Sequence, residues 1–157
     1  MALVRILVDG YSLLHGWPEL AQGHARHSMA ARDALISLLI RYRDAIGTPI
    51  TIVFDGAGAV IGTAQPVSSR ELEVLYSKKG QTADDVIERA THRLLEYGGV
   101  LVVTDDNAER ETVFSLGGTT SGCEQFRIQI ENALDDVRED LARLRRKERG
   151  PFNQPDF

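Results

Sequence analysis

The sequence predicts an α/β fold with a mainly parallel sheet. Short β-rich apolar runs alternate with longer amphipathic stretches, the pattern of βαβ units. The apolar runs ending at Val8, Phe54 and Val103 each stop at Asp or Thr-Asp, as strands entering turns do. The 157 residues are 43% hydrophobic, enough for one buried core and too short for two ordinary domains. A single domain over 1–149 with an irregular tail over 150–157 is expected.

The run Leu3 to Val8 reads as a buried central strand ending at Asp9-Gly10. A long connection containing Gly16, Trp17-Pro18 and Gly23 follows. Ala31 to Ile46 places Leu35, Leu38, Leu39 and Tyr42 on one helical face, with Ser28 as cap and Gly47 as stop. Pro49 to Phe54 is a second strand, ending at Asp55-Gly56. Gly56 to Ser69 is rich in Gly, Ala and Ser and reads as a loop, and Glu71 to Tyr76 suits a short strand.

Thr82-Ala83-Asp84-Asp85 opens a helix running to about Tyr97, with Thr82 as cap and the two acids at the positive end of the dipole. Val100 to Val103 is another strand, followed by Thr104-Asp105-Asp106. A short helix is expected from about Ala108 to Phe114. Ser121-x-x-Glu124 reads as a capping box for the last helix, whose seam is Ile130, Leu134, Val137, Leu141 and Leu144. That seam spans about two heptads, so packing within the chain is favoured over a coiled coil.

Eighteen Lys and Arg against 23 Asp and Glu give a net charge of −5, which excludes a polybasic nucleic-acid coat protein. The single cysteine, Cys123, excludes an internal disulfide and a Cys-rich zinc site. The opening apolar run is short and ends in an acid, unlike a signal peptide or membrane span, so a cytoplasmic setting is expected. The oligomeric state is left open between monomer and homodimer.

In a parallel sheet the ligand site lies beyond the carboxyl ends of the strands. Asp9, Asp55 and the Asp105-Asp106 pair all follow a strand, and Asp84-Asp85 open a helix after another. Carboxylates sharing a crevice raise each other's pKa, and a divalent cation relieves them. Hard oxygen ligands suit Mg²⁺ or Mn²⁺, and such a site serves phosphoryl transfer. Each acid taken singly is equally a turn or cap residue. Their recurrence at corresponding positions carries the argument.

Ile6-Leu7-Val8-Asp9-Gly10-Tyr11-Ser12-Leu13-Leu14-His15 resembles the opening of the YacP-like branch of the NYN ribonucleases, within the PIN-like nuclease group. The resemblance continues through Trp17-Pro18-Glu19-Leu20, Ala31 to Ile36, Val53-Phe54-Asp55 and Tyr76 to Asp84. It ends with Val103-Thr104-Asp105-Asp106, Glu109 and Phe114. It implies a PIN-like three-layer α/β/α sandwich and metal-dependent hydrolysis of RNA phosphodiesters, as an endonuclease. Carried over by position, Asp9, Asp84 and Asp106 match the family's acidic site and would hold one or two Mg²⁺ or Mn²⁺ ions. Asp105, Asp85 and Asp55 are further candidate ligands; Asp105 stands where family members often have Ser. The family usually has Asn where this chain has Ser12, which could orient Asp9 or contact substrate.

Lys78 and Lys79 precede the Thr-Ala-Asp block and are candidates for phosphate contact. Tyr11 and Trp17 flank the first acid and are candidates for stacking bases. His15, His24 and His27 lack a defined ligand spacing. Cys123 reads as a buried thiol rather than a nucleophile. The basic end of the last helix, Arg143 to Arg149, suits a helix C-terminus without invoking RNA.

Two other classes compete. One is a degenerate PIN-like RNA-binding or adaptor module, encouraged by Ser12 and opposed by the retained acids. The other is a Mg²⁺-dependent phosphatase or receiver-like domain. A haloacid-dehalogenase-type phosphatase needs an acid two residues after Asp9, where Tyr11 stands. A receiver needs a lysine after a late strand, where Thr104-Asp105-Asp106 stands.

Overall fold

A computed structural model describes residues 2–56 and 72–149. Most of the Gly56–Ser69 loop, Glu71 and the 150–157 tail lie outside the described residues. The elements run β1 (Leu3–Asp9), α1 (Gly10–Gly16), a 3₁₀ turn (Pro18–Ala21), α2 (Met29–Ile46), β2 (Ile50–Phe54) and β3 (Leu72–Tyr76). They continue α3 (Ala83–Leu94), β4 (Gly99–Val103), α4 (Asn107–Leu116), β5 (Thr119–Ser121) and α5 (Cys123–Arg149).

The described strands form one sheet in the order β3-β2-β1-β4-β5, and every pairing is parallel. The expected α/β class and strand direction hold. β1 is central because both its faces are apolar. Ile6 and Val8 pack with α1, α2 and the first turns of α5 through Leu13, Leu39, Phe126 and Ile130. Leu7 packs on the opposite face with Ile87 of α3 and Val113 of α4. Alternating side chains on a strand thus feed two helical layers.

Ser28 and Gly47 bound α2 as expected: the Ser28 hydroxyl accepts the Ala31 N–H, and Gly47 takes a left-handed φ of 76°. Thr82 and Asp85 form a reciprocal capping box on α3. Gly10 meets a steric requirement, since a Cβ there would lie 2.3 Å from Phe54 Cε1. The chain can therefore turn from β1 into α1 directly against the Phe54 ring.

Two expectations are corrected. The sheet has a fifth strand, β5, whose three residues carry no apolar run to signal it in the sequence. The Ser121-x-x-Glu124 capping box does not form. Ser121 ends β5, and its hydroxyl donates to the Gly122 carbonyl. The seam of α5 is buried at Ile130 but exposed at Leu141 and Leu144, so only its first half packs within the described chain.

Candidate metal centre

Because the sheet is parallel, the carboxyl ends of β1 to β5 share one edge. The helices that follow β1, β3 and β4 begin there, and each brings one acid. Asp9 is the N-cap residue of α1, where its Oδ1 accepts the Ser12 N–H at 3.4 Å. Asp84 is the second residue of α3, and Glu109 the third of α4. A carboxylate oxygen of each lies within 4.8 Å of the others. Three helix N-termini therefore point positive dipole ends at the cluster, which partly offsets its charge.

Glu109 is only 2% exposed. The Thr104 hydroxyl donates to its Oε2 at 3.0 Å, while Oε1 is sealed from solvent with no hydrogen-bond partner. Burial pushes the Glu109 carboxyl far above the usual range, and its close approach to the Asp84 carboxyl and the Asp84 and Asp9 charges push the same way. Burial likewise raises Asp9 to about 6, opposed by the Ser12 N–H and reinforced by Asp84. No Lys, Arg or His among the described residues forms an ion pair with any of the three. Three carboxylates without a counter-charge, one with an orphaned buried oxygen, fit a hard divalent cation.

The expected acids fall into distinct places. Asp9 and Asp84 belong to the cluster. Asp106 lies at its rim as the N-cap of α4, its Oδ1 accepting the Ala108 and Glu109 N–H groups. Its charge raises the Asp9 pKa, so it is within electrostatic reach. The structure does not bring Asp55, Asp85 or Asp105 into the cluster. Asp85 is occupied in the α3 capping box, accepting the Thr82 N–H at 3.0 Å. Asp55 accepts the Ser77 hydroxyl at 3.1 Å. Asp105 Oδ1 accepts the Cys123 N–H at 2.8 Å and so caps α5 from the β4–α4 turn.

Glu109 was not among the acids expected at the site. It follows β4 by six residues and falls outside the strand-end pattern. Two signals were available: Glu109 stands in the last block that carries the family resemblance, and it lies near the start of α4, where helical side chains lean toward the N-terminus and a Glu reaches back.

Ser12 faces protein rather than open space. Its hydroxyl accepts the Asp105 N–H at 3.0 Å and lies 3.5 Å from Cys123 Sγ. It thereby ties the β4–α4 turn to α1. Cys123 is buried, and burial pushes its thiol up to about 12, which makes it no nucleophile. Trp17 is 8% exposed, with the Arg127 guanidinium 5.0 Å from its ring centroid. Its ring is committed to packing and to Arg127 in this structure. Tyr11 is half-buried between His27 and Phe54. Lys78 and Lys79 are exposed in the turn after β3, closed by the Lys78 N–H donating to Gln81 Oε1.

The YacP-like NYN domain model matches residues 6–155. The uncharacterized protein YacP of Bacillus subtilis strain 168 is 30% identical over 127 residues, covering 80% of this chain and 74% of that protein. The crystal structure of Rae1 (YacP) from Bacillus subtilis is similar with a TM-score of 0.77 at 25% identity, over 94% of this chain and 84% of that one. A mutant of the same Bacillus protein gives 0.75 at 25% identity, over 89% and 82% of the two chains.

Proposed function

The chain belongs to the YacP-like NYN domain family, and from that membership we propose that it is a metal-dependent ribonuclease, an endonuclease that hydrolyses RNA phosphodiesters. The observation that carries this reading is the Asp9, Asp84 and Glu109 cluster with its orphaned Glu109 oxygen. These three residues would hold Mg²⁺ or Mn²⁺. When bound, such a cation neutralises charge on the scissile phosphate and eases deprotonation of an attacking water.

The rest is the work of the chain itself. Thr104 fixes the Glu109 carboxylate by its hydroxyl and receives the Asp106 N–H at 3.2 Å, so one buried side chain sets both acids of α4. Ser12 holds Asp105 and with it the start of the turn that carries Asp106. Lys78 and Lys79, on the same edge of the sheet, offer phosphate contacts outside the acids.

The test is cleavage of structured and unstructured RNA with Mn²⁺ or EDTA. Cuts that need the metal and vanish in Asp9→Asn, Asp84→Asn and Glu109→Gln support the reading. Cutting that survives these substitutions, or an intact protein that binds neither metal nor RNA, overturns it.

A further inference from the structure

Arg32 lies in the first turn of α2, at the same edge of the sheet as the acids, and is 8% exposed. Among the described residues no carboxylate lies within ion-pair distance of it, and neighbouring Asp33 makes no such bond either. A buried guanidinium without a counter-ion is costly and asks for an anion.

Its donors are only partly used by the protein. The two Nη1 protons are taken by the Tyr11 hydroxyl at 3.1 Å and the His27 carbonyl at 2.7 Å. The Tyr76 phenol stands beside the same guanidinium. Arginine has three further N–H donors on Nε and Nη2, and Tyr76 can occupy one at most. Neither nitrogen is among the sealed side-chain atoms that lack a partner. Two adjacent N–H groups of a guanidinium match two phosphate oxygens.

The site is coupled to the acids through Tyr11, two residues beyond Asp9. The Tyr11 ring packs on Phe54 at 5.1 Å, and Phe54 stacks on Tyr76 at 5.6 Å. This row fixes both tyrosines that flank the guanidinium. An RNA strand crossing the acidic cluster meets repulsion there and needs a cation to set its register.

We propose that Arg32, held between Tyr11 and Tyr76 beside the acidic cluster, docks a backbone phosphate of the RNA strand next to the one being cut. The proposal rests on the nuclease reading above. Arg32 is a binding residue in it and takes no part in bond breaking.

The test is fluorescence anisotropy with a short labelled oligouridylate in EDTA over a range of KCl, paired with cleavage kinetics in Mn²⁺. Arg32→Gln should weaken binding roughly tenfold at low salt, flatten the log–log salt slope by about 0.7, and raise KM while kcat stays within a few fold. In the wild-type protein the Arg32 Nε–Hε NMR resonance should move on adding the RNA, a readout that does not depend on the variant folding. A folded Arg32→Gln with wild-type affinity, slope and KM, or an unmoved Arg32 resonance at saturating RNA, overturns the proposal and leaves Arg32 a structural residue. A wild-type protein that neither binds nor cuts RNA overturns the nuclease reading first and this one with it.

Discussion

Thr104 donates its hydroxyl proton to Glu109 Oε2 at 3.0 Å while Glu109 Oε1, sealed from solvent, has no partner. A buried carboxyl held on one side and unpartnered on the other, with Asp9 and Asp84 completing its surroundings, is consistent with a cation ligand. In Glu109→Gln one ligand oxygen becomes an amide donor while the shape is kept. Mn²⁺ should raise the thermal midpoint of the wild-type protein and leave that of Glu109→Gln nearly unchanged. A full Mn²⁺ shift in the variant would remove Glu109 from the metal site.

Without metal, the cluster should make stability depend on pH. Asp9 is raised from 3.8 to about 6 in the folded chain. A raised folded pKa means the fold favours the protonated acid. The associated stability is full below the unfolded value and is lost as pH rises through about 6. The loss is on the order of 1–3 kcal/mol for this residue. Because the loss begins at the unfolded value, denaturant unfolding in EDTA should show the metal-free protein more stable at pH 5 than at pH 7.5 by roughly half of this contribution. Glu109 is raised in the same direction and adds to the difference, so Asp9→Asn should reduce the difference without abolishing it, and a wild-type profile that rises over this range would contradict it.

Asp105 and Asp84 make opposite predictions although both are acids near the sheet edge. The Asp105 carboxylate is committed to the Cys123 N–H at the start of α5. Asp105→Asn keeps an acceptor there and should retain metal binding and cleavage. Asp105→Ala should cost about 1 kcal/mol of stability through the lost cap. Asp84→Asn should remove metal-dependent cleavage with little loss of fold. Loss of metal binding in Asp105→Asn would return Asp105 to the ligand set.

What the sequence disclosed follows from which signals are local. Ser28, Gly47 and Thr82 act on neighbours within a few residues, so their capping roles were legible, whereas the Asp85 side of the α3 capping box was read only as a dipole charge and candidate ligand. Asp9 and Asp84 were legible because a parallel sheet turns strand ends into one edge. Glu109 was hidden because its approach depends on how α4 packs, beyond the reach of a strand-end pattern. The Ser12, Asp105 and Cys123 contacts span 93 and 111 residues of chain. Ser121 shows the converse failure: its spacing to Glu124 matched a local motif, but pairing of β5 with β4 claimed the residue first.

The Asp9–Gly10 step joins fold to site most tightly. A Cβ at Gly10 would stand 2.3 Å from Phe54 Cε1, and the Phe54 ring also supports Tyr11 and Tyr76. Phe54 is fully buried and cannot swing aside without disturbing β2. In Gly10→Ala the start of α1 must move instead, at a cost of about 1–3 kcal/mol typical of overpacking. That motion carries Asp9 with it. Cleavage should therefore fall further than stability alone explains, even at temperatures where the variant is fully folded. Phe54→Leu in the same chain should recover both stability and cleavage in part by vacating the ring's place. A double variant no better than Gly10→Ala would show that the contact with Phe54 is not what keeps this position glycine.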